Sequence, residues 1–356
     1  MAPKYQQVAD ALRSDILDGV YQKRMLLPTE QLLCQRFSVS RQTVRQALSV
    51  LAAEGMIERR QGSGSHILQN KEPSNAPRRT VAVITTYISN YIFPSILREI
   101  ETVLSANNSA PTLYATQNQI SNERRILQSL LDGKLPDGIL VEGTKTGLPN
   151  PNLDLYRKLI SRGVPMVFMH GIYPELSDCL SVLDDNYGGS RQLVEYLYQK
   201  GHRSISGIFK NDDLQGLQRY AGYADALRDL GLPLEDQRVF WYNTESKDFL
   251  LSDSSFWDVS SDLLLNCTAL VCYNDEIASR MVSLLMNHGL RIPEEIAVVS
   301  FDNSPYSELS VIPITSLSHE EYNVGRMAAQ LLVRLFHGER GTSQLAPWTL
   351  ITRKSS

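Results

Sequence analysis

Between Ser40 and Arg45 the chain reads Ser-Arg-Gln-Thr-Val-Arg, residue types that can read DNA at this spacing. Arg41 and Arg45 lie four apart, so on a helix they share one face, and each guanidinium can grip O6 and N7 of a guanine in the major groove. Gln42 suits adenine, and Thr43 suits a phosphate oxygen. Further on, Gln61 and Gly62 open a Gln-Gly-Ser-Gly turn. Glycine there permits close backbone approach to the adjacent minor groove. An isolated arginine pair is more often a solvated helix face, and it is the whole surrounding segment that favours the DNA reading.

A second set of polar residues suits a sugar. Glu142 follows the apolar run Gly138 to Val141, His170 follows Met166 to Met169, and Asp184 with Asp185 follows Leu180 to Leu183. Lys210 follows Ile208-Phe209, Asn274-Asp275 follows Val271-Cys272-Tyr273, and Asp302-Asn303 follows Ser300-Phe301. Carboxylates, amides and cations of this kind exchange directional hydrogen bonds with vicinal hydroxyls. Taken singly, each is explained as a helix cap or a satisfied loop group. Six at matching topological positions point to one pocket. The carboxylates read as hydroxyl acceptors rather than acid/base pairs, because the chain has no P-loop, no nucleophile elbow and no His/carboxylate metal set. An enzyme such as a sugar kinase or isomerase is therefore disfavoured, and neither cofactor nor metal is expected.

These residues need two kinds of element to hold them. Tyr5, Val8, Leu12 and Ile16 recur at helical spacing between Pro3 and Gly19. Pro28-Thr29-Glu30 starts a second helix to about Phe37, with Thr29 as N-cap. After the Ser38-Val39-Ser40 turn, Ser40 caps a third helix that buries Val44, Ala47, Leu48 and Leu51, turns Arg41, Gln42 and Arg45 outward, and ends at Gly55. Met56 to Arg60 and Ser65 to Leu68 then predict a β-hairpin. Residues 1–70 thus form an α+β winged helix-turn-helix domain, and 71–79 read as a linker by composition. From residue 80 to 356, apolar runs alternate with helical stretches, at Val81–Ile84, Gly138–Val141, Met166–Met169, Ile205–Phe209, Ala269–Cys272 and Ile296–Val299. Alternation of this kind predicts a two-lobed α/β domain with parallel sheets and a ligand cleft beyond the strands' carboxyl ends.

Composition supports the division. The whole chain of 356 residues carries a net charge of −4, yet residues 1–79 hold 12 Lys/Arg against 7 Asp/Glu, leaving the excess of acid to the remainder. Apolar residues make up 42%, and no run approaches the ~20 that a membrane span needs. The Met-Ala-Pro-Lys start lacks the apolar core of a secretory signal, which predicts a cytoplasmic protein. Cys34, Cys179, Cys267 and Cys272 show no CxxC pairing and read as reduced thiols.

The stretches Leu27 to Leu33, Phe37 to Leu48, Glu54-Gly55 and Gln61 to Ser65 closely resemble the GntR family of bacterial regulators, over residues 4 to 68 without a gap. That resemblance implies DNA contacts from Lys4, Tyr5, Glu30, Arg41, Gln42, Thr43, Arg45, Gln61 and Gly62. Glu30 is unusual in this company, since phosphate repels a carboxylate. It accepts from a cytosine amino group, orients an arginine, or serves the N-terminus of its helix. The larger part resembles the lactose-repressor and periplasmic sugar-binding family through Tyr273 to Ala278, Ile292 to Asp302, and Ile314 to Leu317. It implies effector contacts from Arg219, Asn274 and Asp302, a ligand-facing His319, and Phe93 as the aromatic that stacks on the ring. Ser300-Phe301-Asp302-Asn303 departs from the family's glycine, aromatic and two acidic residues, which affects Asn303 and not Asp302.

A GntR head on such a body is similar to the arabinose repressors of Gram-positive bacteria, over Thr85 to Ile96, Val141 to Lys145, and Gly207 to Gly216, which includes Gln215. This resemblance implies a transcriptional repressor with L-arabinose as inducer. Together with the strand-end residues, the expected effector site is Phe93, Glu142, His170, Asp184, Lys210, Gln215, Arg219, Asn274, Asp302 and His319. The expected partners are double-stranded operator DNA, the sugar, and a second copy in a homodimer, with no membrane. A cytoplasmic regulator responding to another pentose or hexose is the alternative. A sugar-binding transport component would share the fold from residue 80 on, but lacks a DNA module.

Overall fold

The computed structural model describes residues 3–17, 20–21, 26–53, 56–60, 64–67, 77–319 and 322–356. The chain divides into two compact units, Met1–Pro77 and Arg78–Ser356.

In the first unit, α1 (Lys4–Leu17), α2 (Glu30–Phe37) and α3 (Arg41–Ala53) precede an antiparallel hairpin of β1 (Ile57–Arg60) and β2 (Gly64–Ile67), paired from Ile57 with Ile67 to Arg60 with Gly64. Thr29 caps α2 by accepting from the Leu32 amide, and Ser38 ends it in the left-handed conformation at φ 51°. The Ser40 hydroxyl then accepts from the Thr43 amide at the start of α3. Val8 and Leu12 of α1, Leu33 of α2, and Val44, Ala47, Leu48 and Leu51 of α3 close over Met56 and Ile57 as one core. Each fully buried Val, Leu or Ile contributes about 1.5–3 kcal/mol. The expected helix-ending glycines Gly19 and Gly55 lie outside the described residues, as do Gln61 and Gly62 at the turn of the wing.

The second unit holds two six-stranded sheets among the described residues. One contains β3 (Arg79–Thr85), β4 (Ser109–Ala115), β5 (Gly138–Val141), β6 (Met166–Met169), β7 (Leu180–Asp184) and β13 (Gln344–Ala346), in the order β13-β7-β6-β5-β3-β4. The other contains β8 (Ile205–Lys210), β9 (Val239–Tyr242), β10 (Ala269–Cys272), β11 (Ala297–Phe301), β12 (Thr315–Ser318) and β14 (Thr349–Ile351), in the order β14-β12-β11-β10-β8-β9. Helices α4 (Phe93–Ser105), α5 (Ile120–Asp132), α6 (Leu153–Ser161) and α13 (Val324–Phe336) cover the first sheet. On the second sheet pack α7 (Asn186–Gln199), α8 (Leu214–Asp229), the short α9 (Lys247–Leu250), α10 (Asp253–Leu265) and α11 (Asp275–Asn287). The five-residue α12 (Pro305–Leu309) lies against α11.

Strand alternation explains why both faces of each sheet are apolar. Val81 and Val83 point to the core under α4 and α13, whereas Ala82 and Ile84 point to the core under α5 and α6. Leu270 and Cys272 face α10 and α11, and Ala269 and Val271 face α7 and α8. The sheets are parallel as expected, apart from β14, which runs antiparallel to β12. Several boundaries also differ from the sequence reading by a residue or two. β3 begins at Arg79, inside the stretch 71–79 expected as linker, and the strand expected at 296–299 runs from Ala297 to Phe301. The chain passes between the lobes three times: after β7, between β12 and α13, and between β13 and β14.

Candidate functional site

All ten residues expected to meet an effector line one cleft of about 1380 Å³ in the second unit. They arrive there because parallel strands end on the same side and each hands its chain to a loop at the cleft. Several of those loop residues sit in the left-handed region, including Tyr91 at φ 56°, His170 at 61° and Asp302 at 96°. Non-glycine residues in this region cost about 1 kcal/mol or more each, and such strain concentrates at binding sites.

Asp184, fully buried at the end of β7, is the centre of the polar network. One of its carboxylate oxygens lies 2.9 Å from His170 Nδ1 and accepts from Gln215 Nε2 at 3.1 Å; the other lies 2.6 Å from His319 Nε2. Burial opposes ionisation of Asp184, but His170 and His319 outweigh it and hold the carboxyl well below the usual range. Burial likewise disfavours charge on His170, yet Asp184 overcomes it and pushes the imidazole up to about 9. His170 Nε2 is buried in the cleft wall with no partner among the described residues. It is a donor awaiting an acceptor.

The opposite wall is built around Arg219 on α8. Its Nε donates to Asn186 Oδ1 at 2.9 Å, one terminal nitrogen donates to the Tyr273 carbonyl, and the other approaches Asp302 Oδ1 at 3.4 Å. The guanidinium rests 4.1 Å from the Phe301 ring centre and 4.8 Å from that of Tyr273. Lys210 is paired with Asp212 and Asp213 at 2.9 Å each, and these carboxylates raise its ammonium above the ordinary range although burial opposes it. Glu142 accepts from the Thr86 amide and hydroxyl on one oxygen, both at 2.8 Å, and burial pushes its carboxyl up. Asn274 caps α11, its side-chain oxygen accepting from the Ile277 amide at 3.0 Å, which leaves its NH2 group for the cleft. Phe93, at the start of α4, is buried edge-on to Tyr87 at the cleft margin.

Sequence reasoning passed over Tyr91, which donates to Asp302 Oδ2 at 2.6 Å and accepts from the Asp275 amide at 3.1 Å. It also passed over Asp213 and Tyr273, which are joined at 2.8 Å and line the cleft. Tyr91 had a signal, since it stands in the loop after β3, the same topological position as the residues that were recognised. Asp185, named beside Asp184, turns its carboxylate away to cap α7 through the Gly188 amide.

In the first unit, Arg41, Gln42 and Arg45 lie exposed on the outer face of α3, with Thr43 half-buried beside them. Lys4 is exposed and Tyr5 half-buried in the first turn of α1. Glu30, in the first turn of α2, accepts from Arg41 Nε at 2.8 Å and from Arg45 Nε at 3.0 Å. Hydrogen bonding to Arg41, aided by Arg45, lowers its pKa. Of the roles open to Glu30, the orienting of arginines and the helix N-terminal position are both present in the geometry. In solvent this pairing is worth little energy, and its effect is to align two guanidiniums on one face. Among the described residues there is no cluster of three metal-ligating side chains and no helix long and apolar enough to cross a membrane.

A winged helix-turn-helix joined in one chain to a two-lobed body with a cleft lined by charged and polar side chains defines a ligand-responsive regulator of transcription. Residues 4–67 match the gntR family of bacterial regulatory proteins, and residues 194–356 match the periplasmic binding protein-like domain. The chain is 36% identical over 344 residues to the arabinose metabolism transcriptional repressor of Halalkalibacterium halodurans, covering 96% of this chain and 91% of that protein. It is 33% identical over 342 residues to the repressor of the same name from Geobacillus stearothermophilus, covering 94% and 91%. The crystal structure of the transcription regulator CcpA of Lactococcus lactis shares the fold, with a TM-score of 0.67 at 23% identity over 78% of this chain and 99% of that one. The chain belongs to the family of arabinose metabolism transcriptional repressors: it is a DNA-binding repressor with a GntR head and a sugar-binding effector domain.

Proposed function

We propose that the cleft binds L-arabinose and that the bound sugar releases the protein from operator DNA. The observation that carries this reading is the convergence of Glu142, His170, Asp184, Lys210, Gln215, Arg219, Asn274, Asp302 and His319, with Phe93 at the margin, on a single cleft. A pyranose presents donors and acceptors around its rim and C–H groups on its face. The cleft offers carboxylate acceptors, the unpaired His170 Nε2 and an aromatic edge in reply. The names of the two relatives support arabinose over other pentoses.

In the head, Lys4, Tyr5, Arg41, Gln42, Thr43, Arg45, Gln61 and Gly62 contact the operator, with Glu30 holding Arg41 and Arg45 in register. Residues 1–70 act as the DNA-binding domain, with the stretch before β3 as its linker. Two copies of the body associate and set two heads at operator half-sites in the cytoplasm. Sugar changes the angle between the lobes, and the heads then fit the operator less well. If sugar weakens operator binding tenfold to a hundredfold, the coupling is about 1.4–2.7 kcal/mol, and operator weakens sugar binding by the same factor.

Calorimetric titration with L-arabinose, D-xylose, D-galactose and D-ribose, on the wild-type chain and on Asp302→Ala, tests the reading. Binding of arabinose alone, abolished by the substitution, is the expected result. A stronger response to another sugar discards arabinose and keeps the repressor.

A further inference from the structure

The three passages of chain between the lobes meet at one aromatic pair. His319 lies just beyond β12 in the second passage, and its Nε2 meets Asp184, the last residue before the first. Its Nδ1 lies 2.9 Å from the carbonyl of Pro347, in the third. The next residue, Trp348, stacks on the imidazole with ring centres 3.5 Å apart and planes within 22°. First and third passages are also joined directly, the Asp185 amide donating to the Ala346 carbonyl at 3.0 Å. Trp348 is packed so closely on the first turns of α7 that a Cβ placed on Gly189 would stand 2.6 Å from its ring.

The His319 ring is thus held between two oxygens from separate crossings, the Asp184 carboxylate and the Pro347 carbonyl. Trp348 itself does not line the cleft, and its indole N–H is buried without a hydrogen-bond partner among the described residues. A buried unpaired donor is a standing cost, and one placed among chain crossings belongs to an arrangement that other contacts over-determine. Rotation of one lobe against the other must alter the backbone at these crossings, because they are the covalent links between the lobes. The Asp184 carboxylate is shared between the cleft and this node, so a ligand that competes for its oxygens changes the bond to His319.

We propose that the His319–Trp348 stack is the hinge node that carries sugar occupancy at Asp184 to the angle between the lobes, with Trp348 a positioning residue that never touches sugar. This rests on the reading of the cleft as a sugar site. The node gives a built-in reporter, since the chain has three tryptophans and Trp241 and Trp257 lie elsewhere, on β9 and α10.

The test combines tryptophan emission, calorimetry and DNA release on the full chain, using the four sugars above and a duplex selected by the wild-type protein from a random-sequence pool. Saturating sugar is expected to change wild-type emission, and Trp348→Phe to abolish that change while Trp241→Phe and Trp257→Phe keep it. Trp348→Phe should hold sugar affinity within about threefold of wild type, yet sugar-induced DNA release should fall from tenfold or more to under about threefold. Gly189→Ala, which presses on Trp348 from α7, should weaken release in the same way. Full release by both variants, or an emission change that survives loss of Trp348, overturns the proposal. If the wild-type chain takes up none of the four sugars by calorimetry, the sugar reading fails and the hinge proposal falls with it.

Discussion

Tyr91 donates its phenolic hydrogen to Asp302 across the cleft at 2.6 Å, joining the loop after β3 in one lobe to the end of β11 in the other. The same carboxylate faces Arg219 through its second oxygen. Asp302 is therefore aimed by one group from each lobe. A hydrogen bond to a charged group contributes about 1.5–3 kcal/mol. Tyr91→Phe is expected to weaken sugar binding about tenfold by titration calorimetry and to leave DNA affinity without sugar unchanged. Unaltered sugar affinity would mean that Asp302 is positioned by Arg219 alone.

On the head, Arg45→Ala should cost about 1–3 kcal/mol in operator affinity, measured by fluorescence anisotropy, and leave sugar binding intact. Glu30→Gln removes the charge that both arginines share while keeping side-chain shape. It should reduce discrimination between operator and random duplex more than it reduces affinity for random duplex. Equal loss on both duplexes would assign Glu30 to folding of the head.

The pH dependence follows from the His170–Asp184 pair. His170 is raised from 6.5 to about 9, so its contribution to stability is complete below about 6.5 and is lost as pH rises through about 9. Asp184 is depressed, so its contribution is present above about 3.8 and is lost as pH falls through its lowered value. Melting temperature should therefore decline between pH 7 and 10, and sugar affinity with it as His170 loses its charge. His170→Gln should flatten the alkaline decline of the melting curve. A decline of the same size in that variant would place its cause in another group.

Glu123 is wholly buried on α5, and its carboxyl group is ringed by hydrogen-bond donors. Tyr156, Tyr173 and the Thr144 amide face one oxygen, and Asn150 and Asn152 face the other at 2.7 and 2.8 Å. Thr144 lies two residues after Glu142, so this cluster fixes the loop that carries Glu142 to the cleft. Each donor stranded in the interior costs about 1–3 kcal/mol. Glu123→Ala should thus destabilise the body by at least about 3 kcal/mol in denaturant melts, and Glu123→Gln by less, because it strands fewer donors.

Much of this was legible along the chain because the signals are local. The stripe Val44, Ala47, Leu48 and Leu51 and the caps Thr29 and Ser40 depend on residues within a turn or two. The central strands are continuous apolar runs because helices cover both faces. β4 escaped notice because Ser109 to Ala115 forms a sheet edge, half-exposed and able to hold Pro111, so it carries no apolar run. β13 and β14 have three residues each, too few to show a period, and β12 reads Thr-Ser-Leu-Ser with one apolar residue.

By itself, then, the sequence determined the two kinds of domain and, at strand ends, six of the residues that meet in the cleft, Glu142, His170, Asp184, Lys210, Asn274 and Asp302, since strand ends on one side of a parallel sheet are brought together by topology alone; Phe93, Gln215, Arg219 and His319 came from the family resemblance. Which partners those side chains take was decided only by tertiary structure. The Tyr91–Asp302 bond spans 211 positions and the His319–Asp184 contact 135, and the stack of His319 on Trp348 exists only where separate crossings meet. Periodicity records what a residue packs against within its own element. It holds no record of which distant loop a folded chain will bring within hydrogen-bonding distance, because that follows from how the two sheets and their crossings pack.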